Sequence, residues 1–162
     1  MRALLWGANG AMGKLLQEKF GKNVAGLVSA DGLNGVPRSF ADLGDVQADL
    51  VVDFSHHTAA PEVAKYAMET GCAMVVGTTG HTEEEKAAIY AAARTVPVFY
   101  AGNMSLGIAV LCNLAKQTAQ SFPDADIEIV EIHHNRKVDA PSGTAKMLFM
   151  RQLRVLAQST QS

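Results

Sequence analysis

Cysteine is scarce: the 162 residues carry two, Cys72 and Cys112, each inside an apolar run. Two isolated thiols make neither a disulfide framework nor a metal site, and they read as buried thiols in a reducing cytoplasm. Blocks of Lys and Arg are absent and the formal net charge is -2, which argues against nucleic acid as a partner. No apolar run approaches the length that spans a bilayer, so no membrane partner is expected. The first six residues hold one Arg and no cleavage region, and they read as a first strand instead of a signal peptide. Internal repeats and low-complexity tracts are also missing. What remains is a chain with 48% hydrophobic and 19% charged residues. That composition is globular, and the length suits one ordinary domain, or one domain plus part of another.

Short apolar runs alternate with helical patterns in the first two thirds. Arg2–Trp6, Val24–Val28, Leu50–Phe54, Ala73–Val76 and Val98–Tyr100 read as strands, the last three of the continuous type buried on both faces. Helices are expected over Met12–Phe20, Pro61–Thr70 and Glu83–Ala93. Thr82 and Glu85 form a Thr-x-x-Glu capping box for the third, while Gly71 stops the second and Pro97 follows the third. This alternation predicts an α/β fold, a Rossmann-like parallel sheet with helices on both faces. The turn-rich loop Asp31–Asp45 shows no helical period. After Asn103, Leu106, Val110 and Leu114 recur every four residues and predict a helix over Ser105–Ser121. Ile127–Ile132 reads as a strand, and a last helix starts near Ser142. The expected division is a dinucleotide-binding domain over 1–104 and an incomplete α+β substrate-binding and catalytic domain over 105–162.

Four segments carry chemistry. Gly7-Ala8-Asn9-Gly10-Ala11-Met12-Gly13 sits between the first strand and its helix. Glycines at this spacing permit a tight turn, close approach of a pyrophosphate and close packing of helix on strand; the same pattern also fits a tight turn without a ligand. A ribose-reading carboxylate normally follows the second strand, where Asp31 stands, and Arg38 is the residue that could reach a 2′-phosphate. The choice between NADH and NADPH stays open. Gly77-Thr78-Thr79-Gly80 and Ala101-Gly102-Asn103-Met104 end later strands, where ligands bind in open parallel sheets. The densest segment is Glu131–Ala145. His133 and His134 are followed by Lys137, which can act as a general acid or a cationic clamp, and by Asp139. Ser142-Gly143-Thr144 combines hydroxyls with helix N-terminal N–H groups, a carboxylate site and a helix cap at once. No Cys or His stands at ligand spacing around the two histidines, so no metal is expected.

Together these motifs resemble the dihydrodipicolinate reductase (4-hydroxy-tetrahydrodipicolinate reductase) family of lysine and diaminopimelate biosynthesis. The resemblance runs over residues 1–147. It rests on Gly7–Gly13, Asp53-Phe54-Ser55-His56, Val76-Gly77-Thr78-Thr79-Gly80, Asn103-Met104-Ser105-Leu106-Gly107 and His133-His134-x-x-Lys137-x-Asp139-Ala-Pro-Ser142-Gly143-Thr144-Ala145. It implies an NAD(P)H-dependent oxidoreductase that reduces a cyclic unsaturated dicarboxylate, 4-hydroxy-tetrahydrodipicolinate to tetrahydrodipicolinate. It further implies His133 and Lys137 as catalytic, and His134, Ser142, Gly143 and Thr144 as substrate-binding. Gly7–Met12, Gly77–Thr79 and Ala101–Met104 would hold NADH or NADPH, and the implied assembly is a homotetramer.

Met104 and His81 stand where that family commonly has Phe. Members of the family continue past the Ser-Gly-Thr helix with most of a mixed sheet, and residues beyond about Met147 depart from that continuation. The expectation is therefore a chain truncated at its C-terminus, with weak or absent turnover. A non-catalytic NAD(P)H-binding remnant and a related amino-acid dehydrogenase are the competing readings. The His-His, Lys and Ser-Gly-Thr constellation favours a dicarboxylate substrate over the second.

Overall fold

The computed structural model describes residues 1–133 and 141–149. The chain forms two compact units, Met1–Ala101 and a second that begins at Gly102.

In the first unit, strands β1 (Ala3–Trp6), β2 (Val24–Val28), β3 (Leu50–Asp53), β4 (Ala73–Val76) and β5 (Val98–Tyr100) make one sheet in the order β2-β1-β3-β4-β5. Every pairing is parallel, with Ala3 opposite Leu50, Leu50 opposite Ala73 and Met74 opposite Val98. A parallel sheet needs a crossover between strands, and α1 (Ala11–Phe20), α2 (Ala60–Thr70) and α3 (Glu83–Ala92) supply three of them.

Side-chain alternation along β1 sorts the core. Ala3 and Leu5 face one way with Val52, and Leu16 and Phe20 of α1 pack there. Leu4 and Trp6 face the other way with Val51 and Met74, against Val63, Ala64 and Ala67 of α2 and Ile89 and Ala92 of α3. Each large buried side chain contributes about 1.5–3 kcal/mol relative to exposure. The loop 29–49 closes over the second face: Phe40 lies between Trp6, tilted with centroids 4.2 Å apart, and Tyr66, stacked at 4.1 Å. The Tyr66 hydroxyl donates to the Val46 carbonyl at 3.1 Å. This loop holds two single 3₁₀ turns, Leu33–Gly35 and Phe40–Asp42, which its turn-rich sequence did not reveal.

The helix ends follow their local chemistry. Pro61 opens α2, where its missing N–H costs nothing, and Gly71 closes it in the left-handed conformation. Thr82 and Glu85 make the expected reciprocal capping box on α3. Several boundaries lie one residue from the predicted ones, the usual fraying of helix and strand ends.

The second unit contains α4 (Leu106–Ser121), capped by the Ser105 side chain, which accepts from Ile108 N. Residues 143–149 are helical. One expectation is corrected: Ile127–Ile132 forms no strand. Its apolar, β-branched residues suit one, but a strand needs a ladder, and no neighbour pairs with it among the described residues. Val130 and Ile132 are 83% and 93% exposed. No helix among the described residues is long and apolar enough to cross a membrane.

Candidate functional site

Strand order reverses between β1 and β3, which makes their carboxyl ends the crevice where open α/β sheets bind ligands. The glycine turn after β1 opens into it. Gly7 has φ 85°, and a Cβ there would lie 2.3 Å from the Phe54 carbonyl oxygen. A Cβ at Gly13 would lie 2.2 Å from the Gly7 carbonyl oxygen. Both positions therefore demand glycine, one for its backbone angle and one for the close approach of α1 to the turn. Gly7 N and Ala8 N donate to the Val28 carbonyl at 2.9 and 3.0 Å, so β2 anchors the turn. Gln17 Nε2 staples it from α1, donating to the Ala8 carbonyl at 2.7 Å and the Gly13 carbonyl at 3.2 Å. Gly10 is exposed and is the N-cap of α1, with no side-chain cap. A Cβ on it would press on the Gly7 carbonyl oxygen, at 3.3 Å. An open, side-chain-free helix N-terminus at a switch point fits a pyrophosphate.

A cleft of about 330 Å³ brings the predicted residues Ala11, Met12, Gly77, Thr78 and Thr79 together. Phe54, Ser55, His56 and His57 line it as well, although the sequence reading assigned them no role. Below them Asp53 is fully buried at the end of β3. Its Oδ1 accepts from Ser55 N and Ser55 Oγ, and its Oδ2 has no partner among the described residues. Burial pushes the Asp53 carboxyl above the ordinary carboxylate range, with the Ser55 and Thr78 hydrogen bonds opposing. Ser55 N also donates to Thr78 Oγ1 at 2.8 Å, which ties the loops after β3 and β4 together.

Beside this cleft lies a histidine cluster. His57 Nδ1 sits 2.9 and 2.8 Å from the two Glu85 carboxylate oxygens. Glu85 is held below its ordinary range chiefly by the Thr82 backbone N–H, then by His57. His81 is buried and its Nδ1 lies 3.0 Å from the Tyr100 hydroxyl. Burial lowers the His81 pKa, and Nε2 has no partner among the described residues.

Other predicted residues lie in the second unit. Asn103 Nδ2 donates to Thr144 Oγ1 at 2.9 Å, and Asn103 Oδ1 accepts from Ser105 N at 2.8 Å. Ser142 is buried, and its hydroxyl accepts from Ala145 N at 3.1 Å as the cap of the helical residues 143–149. Glu131 Oε1 accepts from Ser142 N at 2.7 Å, and Glu131 Oε2 is 3.9 Å from His133 Nδ1. One carboxylate thus links His133 to the Ser142-Gly143-Thr144 turn. No sequence signal marked Glu131 for this part: the segment 127–132 forms no strand, so a spacing of two from His133 does not by itself put the two side chains on one side. Gly102 and Met104 are exposed, and Ala101, in the first unit, donates its N–H to the Val76 carbonyl at 3.1 Å. Lys137 and His134 lie outside the described residues. No group of three His, Cys, Asp or Glu able to hold a metal occurs among the described residues.

A parallel sheet with an open glycine turn at its switch point defines a Rossmann-type α/β domain. Two family models match the chain: "Dihydrodipicolinate reductase, N-terminus" over residues 1–104 and "Dihydrodipicolinate reductase, C-terminus" over residues 107–159. The chain belongs to the dihydrodipicolinate reductase family. Among its relatives, the 4-hydroxy-tetrahydrodipicolinate reductase of Caldanaerobacter subterraneus subsp. tengcongensis is 42% identical over 154 residues, which cover 91% of this chain and 61% of that protein. That of Alkaliphilus metalliredigens is 39% identical over 151 residues, covering 90% and 60%. The chain therefore spans about three fifths of the length of these relatives. A solved structure, described as dipicolinate-bound dihydrodipicolinate reductase from Paenisporosarcina sp. TG-14, shares the fold with a TM-score of 0.66 at 23% identity, covering 98% of this chain and 66% of that one.

Proposed function

We propose that this chain carries the nucleotide-binding and catalytic residues of an NAD(P)H-dependent reductase acting on a cyclic unsaturated dicarboxylate, 4-hydroxy-tetrahydrodipicolinate, to give tetrahydrodipicolinate. The observation that carries the reading is the family match running through both parts of one chain, 1–104 and 107–159. When bound, the nicotinamide nucleotide supplies a hydride. The residues supply position and protons. Gly7, Ala8, Asn9, Gly10, Ala11 and Met12 hold the pyrophosphate end. Gly77, Thr78 and Thr79, with Ala101, Gly102, Asn103 and Met104, hold the nicotinamide end. Lys137 donates the proton that balances the hydride, assisted by His133. His134, Ser142, Gly143 and Thr144 bind the substrate carboxylates, and Glu131 orients His133 and the Ser142 turn. A dianion needs such a cationic, N–H-rich site, because each charge must keep its hydrogen bonds on leaving water. The buried free thiols Cys72 and Cys112 suit a reducing compartment, and the reading places the reaction in the cytoplasm. A homotetramer is the assembly proposed for the whole protein.

A second reading is a nucleotide binder without turnover. It is favoured by the lack of a ladder at Ile127–Ile132 among the described residues and the exposure of Val130 and Ile132. Two assays separate them: NAD(P)H oxidation with freshly made substrate, and fluorescence titration of the nucleotide. Binding with turnover supports the reductase, binding alone supports the second reading, and absence of binding overturns both. In an active chain, Lys137→Ala should lower turnover about 100- to 10,000-fold, the range of general acid catalysis, with nucleotide affinity unchanged. A parallel loss of nucleotide affinity would refute the assigned role.

A further inference from the structure

We propose that Asn9 is a positioning residue for the adenosine end of the nucleotide: it fixes the Asp31 carboxylate to accept from the ribose hydroxyls, and the pair makes the chain select NADH over NADPH. This rests on the reading of the glycine turn as the nucleotide site.

Asp31 lies just beyond β2, where a dinucleotide crossing the switch point presents its adenosine ribose. Asn9 Nδ2 donates to Asp31 Oδ1 at 2.6 Å and to the Leu33 carbonyl at 3.1 Å. Both partners are acceptors, so only the amide nitrogen can face them, and the orientation of the Asn9 side chain follows from chemistry. Leu33 N donates to the same Asp31 oxygen at 3.1 Å. The carboxylate is therefore clamped between the glycine turn and its own turn, while the residue stays exposed. The Asn9 amide, then the Leu33 N–H, hold Asp31 below the ordinary carboxylate range, so it is charged at neutral pH. A fixed carboxylate accepts from a 2′-hydroxyl and repels a 2′-phosphate, which brings almost two more negative charges.

Arg38 is the competing group. Its Nη2 donates to the Asp31 carbonyl at 3.4 Å, and its side chain lies over Gly32, where a Cβ would come 2.4 Å from Nε. It could meet a 2′-phosphate, but its single long hydrogen bond fixes it less than two short ones fix Asp31.

The test is a fluorescence titration of NADH and NADPH against the whole chain and the variants Asn9→Ala, Asp31→Ala and the double substitution, each checked for folding by circular dichroism. Wild type should bind NADH at least about ten-fold more tightly, the scale of one charge-assisted hydrogen bond. Asp31→Ala should abolish the preference, Asn9→Ala should erode most of it, and the double variant should go no further than Asp31→Ala. Should Asn9→Ala fail to fold, Asn9→Ser, which also removes the amide donor, carries the test with the same expected loss of preference. Equal weakening of both nucleotides by Asn9→Ala would make Asn9 a loop brace only and overturn the proposal. A wild-type preference for NADPH would give control to Arg38 and overturn it too. If wild type binds neither nucleotide, the reading of the glycine turn falls, and the proposal with it.

Discussion

Gly10 has φ -70° and ψ 168°, angles open to any residue, and a Cβ there would press on the Gly7 carbonyl oxygen at 3.3 Å. Gly10→Val should leave the fold intact, at a cost of about 1 kcal/mol for the poorer cap. It should weaken NADH binding about 100-fold or more, because two or more charged hydrogen bonds to the pyrophosphate are lost. Fluorescence titration measures this, and unchanged affinity in a folded variant would take the turn out of the site. His81 offers a different lever. Its folded pKa lies below the ordinary histidine value of about 6.5 because burial disfavours the imidazolium. The unfolded chain thus binds this proton first as pH falls. The stabilisation from His81 is complete above 6.5 and is lost as pH drops through that value toward the lowered folded pKa. Glu85 favours the charged ring, while His57 and Lys86 oppose it. His81→Phe removes the proton site and the unpartnered Nε2, and forfeits the contact to the Tyr100 hydroxyl. Calorimetry of both proteins between about pH 7.5 and about pH 5 should show a shallower fall in Tm for the variant. Equal slopes would show that other groups govern acid sensitivity.

At the scale of elements, α3 is set by its first turn. Thr82 Oγ1 accepts from Glu85 N, and Glu85 Oε2 accepts from Thr82 N at 2.8 Å. Thr82→Ala should cost about 1 kcal/mol and lower Tm by roughly 2–4 °C, checked by thermal denaturation. No change in Tm would mean that packing of Ile89 and Ala92 alone holds the helix. This element was legible before the fold was seen, because a capping box and a glycine stop are local signals. The strands were legible for the same reason, as short apolar runs, but burial on both faces holds for the inner strands only: β5 is an edge strand and its Phe99 is 56% exposed, against the expectation for Val98–Tyr100. At Ile127–Ile132 the β-branched residues favour a strand, but local composition describes one strand, whereas a ladder belongs to two. The Asn9–Asp31 clamp, the His81–Tyr100 contact and the grip of Glu131 on Ser142 were out of reach for a related reason. Their partners are far apart in sequence and carry no spacing that marks them, so only the folded chain brings them together. The glycine turn could be found at sight; what steers its neighbour Asp31 could not.

For the molecule as a whole, the sheet order β2-β1-β3-β4-β5 has a consequence for how the first unit assembles. Leu50 meets Ala73, and Met74 meets Val98, each across a single helix, whereas Ala3 meets Leu50 only after α1, β2 and the 29–49 loop have been traversed. Closing a longer loop costs more chain entropy, about 0.6 kcal/mol for each doubling, and non-local pairing slows folding. The expected sequence of events is that β3, β4 and β5 condense with α2 and α3, and that β1 and β2 dock afterwards. Pulse-labelled hydrogen exchange during refolding should find early protection in the β3–β4 and β4–β5 ladders and late protection in the β1–β3 ladder; simultaneous protection would refute this order. The last seam to zip is then the one on which the glycine turn stands. A nucleotide held there would act as a late latch: it would slow the escape of β1 from β3 and leave the early steps of refolding untouched.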